Sequence, residues 1–281
     1  MNDIATIVCG ACSRHCRLAD GAMGFCRARR AEGGRVAAAN YGKISSIALD
    51  PIEKKPIAFF HPGSNILSVG SYGCNLRCPF CQNDGISQHG GDEVPCQEAA
   101  PAELADLAVR LKDARGNIGL AYTYNEPLVG WEFVRDCAKE IHARGMFNVL
   151  VSNGCASAEV IAEIAPLIDA ANIDLKGPSQ GYYDWVGGDF DSVCKTISML
   201  HEAGCHVEVT TLIVPGRNDA EADIDAVAAF IASVSPEIPL HVTRFFPRWR
   251  MRDAPPTPVA ILHRLAAVAR RRLTRVLCGN C

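Results

Sequence analysis

Ser71-Tyr-Gly-Cys-Asn-Leu-Arg-Cys-Pro-Phe-Cys-Gln-Asn83 places Cys74, Cys78 and Cys81 at spacing C-x3-C-x2-C, directly after the apolar run Asn65-Ile-Leu-Ser-Val-Gly70. Gly73 lets the strand end abruptly, and Pro79 prevents a regular helix between the second and third cysteines. Iron–sulfur clusters are held by thiolates, usually four per cluster. Three close thiolates on a tight turn can hold three irons of a cubane and leave the fourth iron open to a substrate or cofactor. A structural zinc site is the competing reading. It is normally closed by four ligands, and Cys96 or His89 could supply the fourth.

From Asn65 onward apolar, β-branched runs alternate with helix-period runs. The strand candidates are 65–72, 118–124, 146–152, 171–176, 206–214 and 240–246. The helix candidates are 102–115, 130–144, 157–168, 191–203, 219–234 and 258–273. Ala102-Glu-Leu-Ala-Asp-Leu-Ala-Val-Arg-Leu has apolar residues at helical spacing after a proline start signal. Such alternation implies βαβ units and a parallel sheet. The expected fold class is α/β, a partial open (β/α)6 TIM-like barrel with a Cys-rich N-terminal extension. Its parts divide as an extension over 1–62, a core over 63–257, and a C-terminal helix with a Cys-containing tail over 258–281. In β/α barrels chemistry gathers at the C-terminal ends of the strands.

Asp50-Pro-Ile-Glu-Lys-Lys-Pro56, Gly73-Cys-Asn-Leu-Arg-Cys-Pro-Phe-Cys-Gln-Asn83 and Tyr122-Thr-Tyr-Asn-Glu-Pro127 together resemble the AmmeMemoRadiSam-system radical SAM protein family, a relative of the pyruvate formate-lyase activating enzymes. The resemblance covers nearly the whole chain. It implies a [4Fe–4S] cluster on Cys74, Cys78 and Cys81, S-adenosylmethionine on the open iron, and reductive cleavage to a 5′-deoxyadenosyl radical. It also implies a low-potential reductant, flavodoxin or ferredoxin, and a substrate hydrogen that by analogy belongs to a glycine of a partner protein, AMMECR1- or Memo-type. A small molecule or RNA is the alternative substrate, and a non-catalytic iron–sulfur or zinc protein is the third reading.

The resemblance also assigns roles at successive strand ends. Glu126, with Tyr124 and Asn125 where activating enzymes have two glycines, would meet the amino group of the cofactor. Ser152 and Asn153, after Val151, would lie near its ribose and carboxylate. Val214 would pack its adenine. Asp174 and Lys176 close the fourth strand with an acid and a base on one face, which suits a zwitterion. Read without the resemblance, Glu126 is a helix N-terminal carboxylate and Asp174–Lys176 a structural ion pair. Arg244 is expected to point toward the site, and His241 to be a packing residue.

Cys9, Cys12, Cys16 and Cys26 stand within eighteen positions, among glycines and basic residues and with few apolar ones. Such a segment needs ligand bonds to organise it, so it reads as a second metal site, zinc or iron–sulfur. Fourteen cysteines without a signal-peptide pattern point to metal and redox chemistry in a reducing, cytoplasmic setting. A net charge of −3 gives no overall bias toward nucleic acid, and no apolar run reaches the length of a membrane span. Between Arg244 and Arg275 there are nine arginines and one acid, Asp253, a solvated face or a docking surface for an acidic reductant. The closing Cys278 and Cys281 are open between a thiol relay, extra ligands and idle thiols.

Overall fold

The computed structural model describes residues 6–281, so the first five residues of the N-terminal extension lie outside the described part. Eight strands form one sheet: β1 (Ser46–Pro51), β2 (Asn65–Gly70), β3 (Asn117–Tyr122), β4 (Phe147–Ser152), β5 (Ala170–Asp174), β6 (His206–Ile213), β7 (Leu240–Arg244) and β8 (Val276–Gly279). They neighbour one another in chain order, and β8 does not return to β1, so the barrel is open. β2 to β8 run parallel and β1 is antiparallel to β2. The expected α/β partial barrel is thus the fold, with its six expected strands as β2 to β7.

Two strands were not expected in the sheet. The tail does not end in a helix with loose cysteines but supplies β8, whose register sets His241 beside Leu277 and Val242 beside Cys278. At the other edge β1 opens the lead-in segment, residues 46–64, which runs up to β2.

The helices α1 (Pro101–Arg115), α2 (Trp131–Ala143), α3 (Ala158–Ile164), α4 (Phe190–Glu202), α5 (Glu221–Val234) and α6 (Val259–Ala269) cover the outside. α1 shows why they start and stop where they do. Pro101 takes the first helical position, the Glu103 carboxylate accepts the Ala100 amide at 2.7 Å, and Gly116 ends the helix at φ +67°. The strands are buried on both faces, apolar outside under the helices and mixed inside, where Ser68, Asn172, Glu208, Thr210 and Thr243 are buried polar residues. The outer faces join the helices in the main core, with Leu67, Leu120, Leu150 and Ile173 almost fully buried. The inner faces alternate upward in steps of two, from Ala121 to Thr123, Val149 to Val151 and Glu208 to Thr210 to Leu212.

The lead-in segment forms the barrel floor. Ile52 and Ile57 are fully buried against Ile66, Ala121, Val149 and Ala170. The Ala58 and Phe59 amides donate to Glu208 Oε1 at 2.9 and 2.8 Å, and Asn172 Nδ2 donates to the Pro56 carbonyl at 2.7 Å. No described helix is long and apolar enough to cross a membrane.

Candidate active site

The cysteine loop leaves the top of β2 under backbone constraint. Gly73 has φ +86°, and a Cβ there would stand 2.5 Å from the Cys26 carbonyl oxygen, so only glycine fits. Asn125 clasps the same turn. Its Oδ1 accepts the Ser71 amide at 2.9 Å, and its Nδ2 donates to the Tyr72 and Gly73 carbonyls, both at 3.1 Å. Leu76 and Phe80, almost fully buried, anchor the loop between its successive cysteines.

Cys74, Cys78 and Cys81 face a cavity of about 280 Å³ at the C-terminal end of the strands. Tyr124, Asn125, Glu126, Ser152, Asn153, Asp174 and Lys176 line the same cavity, with Phe80, Val151 and Leu212 as apolar wall. No further cysteine or histidine lines it. Among the described residues no three His, Cys, Asp or Glu side chains converge closely enough to clasp a single metal ion. The candidate fourth zinc ligands are elsewhere: His89 pairs with Glu93 at 2.9 Å on the surface, and Cys96 is outside the lining. Three thiols, no fourth cysteine or histidine and spare volume fit a cubane with one open iron and do not fit a closed cysteine–histidine zinc site. Burial pushes the Cys78 thiol up to about 12, so loading iron there means displacing a proton.

Glu126 is the hub behind the thiols. Its Oε1 accepts the Leu128 amide at 3.0 Å and the Ser152 hydroxyl at 2.7 Å, and its Oε2 accepts the Asn153 amide at 2.8 Å. Burial pushes the carboxyl up to about 6 against those three donors. The helix-capping role is therefore real, since Glu126 caps the short 3-10 helix Pro127–Gly130. A carboxylate has about four lone-pair sites, so one remains for a ligand in the cavity. Asn153 extends the network: its Nδ2 donates to Asn75 Oδ1 at 2.9 Å and lies 3.5 Å from Cys74 Sγ.

Lys176 Nζ is 2.8 Å from Asp174 Oδ2, with the lysine mostly buried and the acid half-buried. Burial works against the ammonium, but Asp174 outweighs it and holds Lys176 well above its ordinary range. The pair is an ion pair and lines the cavity, so both readings of it coexist in one geometry.

Some expectations are not met. Val214 is fully buried beyond the end of β6, where its amide donates to Asn218 Oδ1 at 2.7 Å. The lining of the cavity has Leu212 and not Val214, which lies in the turn after the strand has ended at Ile213. Arg244 does not enter the site either. Its Nε donates to the Thr257 carbonyl at 2.7 Å and its guanidinium lies over Phe246. His241 is a floor residue, 2.6 Å from Glu208. Two of the nine arginines of the Arg-rich segment form ion pairs within the chain, Arg272 with Asp225 at 2.7 Å and Arg264 with Glu221 at 3.6 Å.

Sequence reading missed what Tyr124 does. Standing where activating enzymes have glycine, it keeps a glycine-like φ of +72°. Its side chain lies over Gly70, where an added Cβ would meet it at 2.8 Å, and its hydroxyl donates to Asp50 at 3.0 Å beside buried Lys55. Thr210, Thr243 and Asn280 also line the cavity without any sequence signal marking them.

Comparison with known proteins places these features. Residues 68–231 match the family model described as "Radical SAM superfamily". An uncharacterized protein of Methanocaldococcus jannaschii is 39% identical over 255 residues, 90% of this chain and 75% of that protein. The benzylsuccinate synthase activating enzyme of Thauera aromatica is 26% identical over 190 residues, 66% of this chain and 56% of that enzyme. Among solved structures, a radical SAM methyltransferase from Sphaerobacter thermophilus shares the fold at TM-score 0.60 and 16% identity. The match covers 78% of this chain and 67% of that one.

Proposed function

The chain belongs to the radical SAM superfamily, whose members carry a [4Fe–4S] cluster and S-adenosylmethionine, and on that premise we propose an activating-enzyme-like catalyst that takes a hydrogen atom from a glycine of a partner protein. The observation that carries this reading is the single cavity joining Cys74, Cys78 and Cys81, with no closing ligand, to Glu126 and the Asp174–Lys176 pair. When bound, the cluster and cofactor supply one-electron cleavage to methionine and a 5′-deoxyadenosyl radical that abstracts the hydrogen.

The residues then divide the remaining work. The three cysteines hold the cluster and Asn153 steadies Cys74. Glu126 offers its last lone pair to the cofactor's ammonium, and Asp174 and Lys176 present opposite charges to a zwitterionic ligand. Phe80, Val151 and Leu212 give the cavity an apolar wall that limits water. Likeness to activating enzymes supports a protein substrate, and the motif resemblance supports an AMMECR1- or Memo-type partner in the cytoplasm, with a flavodoxin or ferredoxin as reductant.

Asp174→Asn is expected to raise the KM for S-adenosylmethionine about 10- to 100-fold, since a hydrogen bond to a charged group contributes about 1.5–3 kcal/mol. Its kcat should change much less, as measured by 5′-deoxyadenosine formation with dithionite. The substrate reading is tested by incubating enzyme and cofactor with the candidate partner carrying deuterated glycine. Deuterium appearing in 5′-deoxyadenosine supports a protein glycine. Cofactor cleavage with no deuterium transfer from any glycine of the partner overturns it and leaves a small molecule or RNA.

A further inference from the structure

The loops that rim the cavity mouth carry arginines that the site does not use. Arg217 follows β6, and Arg248, Arg250 and Arg252 follow β7, so all four stand at the C-terminal end of the strands. All four are exposed. Among the described residues none of them forms an ion pair, in contrast to Arg264 and Arg272 farther along the chain. The same two loops hold two acids, Asp219, whose Oδ1 accepts the Gly216 amide at 3.0 Å, and Asp253. The chain as a whole carries −3, so this rim is a local separation of charge.

Aromatic rings hold these cations in place and tie them to the cavity. The Arg217 guanidinium carbon lies 4.4 Å from the Trp185 ring centroid, and that of Arg250 lies 4.3 Å from the Trp249 centroid. Trp185 packs on Phe80 with centroids 5.5 Å apart, and Phe80 lines the cavity beside Cys78 and Cys81. The Arg250 amide donates to the Pro79 carbonyl at 3.0 Å, which docks the loop after β7 on the cysteine loop itself. Trp249 keeps φ +44°, a left-handed conformation that a bulky side chain adopts only where its surroundings impose it. The rim is therefore an aromatic shelf with charged edges, continuous with the cavity through Phe80.

The residue types say what such a shelf takes. Guanidinium is planar and weakly hydrated, stacks on aromatic rings, and meets a carboxylate with two parallel hydrogen bonds. Arginine and tryptophan are enriched where a partner covers the surface, and lysine is depleted there. The segment from Arg244 to Arg275 has nine arginines and no lysine. A solvated face needs neither rings beneath its guanidiniums nor contact with the cysteine loop. Position then chooses among acidic partners. A reductant can approach the cluster from any side that is close enough, but a glycine that must enter the cavity brings its flanking residues across the mouth.

We infer that Arg217, Arg248, Arg250 and Arg252 bind acidic residues flanking the target glycine, so the partner presents that glycine within an aspartate- and glutamate-rich segment. The inference rests on the protein-glycine reading above and names the kind of segment it requires.

Two measurements test it, the first without turnover. A short fluorescein-labelled peptide, one glycine flanked by glutamates, is titrated with the reconstituted enzyme and followed by fluorescence anisotropy at low salt. Its glutamine counterpart is the control. The glutamate peptide is expected to bind at least roughly 10-fold more tightly, since each exposed pair contributes a factor of up to about five. The preference should fade in the native enzyme as salt rises, a readout that needs no variant. It should vanish in Arg217→Gln, Arg248→Gln, Arg250→Gln, Arg252→Gln and return with Arg217→Lys, Arg248→Lys, Arg250→Lys, Arg252→Lys. Equal binding of the two peptides overturns the acidic segment. So does a single-stranded RNA that binds more tightly than the glutamate peptide through the same four arginines, which would assign the rim to nucleic acid.

The second measurement uses the full partner with deuterated glycine, and dithionite as reductant so that no carrier has to dock. The glutamine quadruple variant should cleave S-adenosylmethionine at the native rate without partner, which shows it folded and loaded. Its KM for the partner should rise at least roughly 10-fold with kcat little changed. An unchanged KM overturns the role of the rim. If no deuterium leaves any glycine with the native enzyme, the protein-glycine reading fails, and the peptide titration alone still decides what the rim binds.

Discussion

Cys78→Ala is expected to cut 5′-deoxyadenosine formation at least about 100-fold while the chain stays folded, because removing a metal ligand should cost no less than the 10- to 100-fold typical of groups behind the ligands. Cys78 is the middle thiol of the loop and is 7% exposed. Replacing one sulfur by hydrogen there removes little packing volume, about 1 kcal/mol of stability at most. The loop keeps its other holds. The Arg77 amide still donates to the Val186 carbonyl at 2.8 Å, the Cys81 amide to the residue-78 carbonyl at 3.1 Å, and Leu76 and Phe80 remain buried. Cys137→Ala is the matched control: that thiol is fully buried in α2, outside the cavity lining, and its loss should leave cleavage unchanged. Native-like cleavage by Cys78→Ala, or an equal loss in Cys137→Ala, would remove the cluster assignment.

What could be read in the chain divides by range. The cysteine loop, the six strands and the strand-end motifs are local patterns, spelled out within a few residues, and the barrel follows from their repetition. β8 was hidden because Val276-Leu-Cys-Gly is short and follows a run of arginines that reads as surface. The floor was hidden for a related reason. Ile52 and Ile57 are separated by Glu53, Lys54, Lys55 and Pro56, so only the closing of the sheet reveals that both are fully buried. Val214 stands outside the lining because the strand ends at Ile213, one residue before it, and apolar character alone does not show where a strand gives way to a turn. The contact of Cys26 with Cys74 spans almost fifty positions and has no local trace. Tyr124 shows the opposite case, where the backbone keeps a glycine's conformation after the residue has changed.

Glu208→Ala is expected to destabilise the protein by about 3–5 kcal/mol, the typical cost of leaving buried partners without their charge. Glu208 has no exposed side-chain surface. Its Oε1 takes the Ala58 and Phe59 amides and lies 2.9 Å from His206 Nε2, and its Oε2 lies 2.6 Å from His241 Nε2. An ionised carboxylate only accepts, so each imidazole Nε2 must donate. Burial pushes the carboxyl up, yet these four donors win and hold it down at about 2. An acid depressed in the folded state stabilises fully above its unfolded value near 4.3, and that stabilisation fades as the pH falls through about 2. The shift corresponds to about 3 kcal/mol, in line with the substitution cost. Glu208→Gln keeps the shape without the charge, so its deficit against the native chain in urea unfolding should be large at pH 7 and shrink steadily below about pH 4.5. A deficit that is the same at pH 7 and at pH 3 would show that Glu208 acts by shape alone. The floor also reaches the chemistry, since Pro56, next to those amides, lines the cavity. Glu208→Ala should therefore lower cofactor cleavage even at temperatures where the variant remains folded, because the polar clamp that fixes the lead-in segment also fixes the bottom of the site.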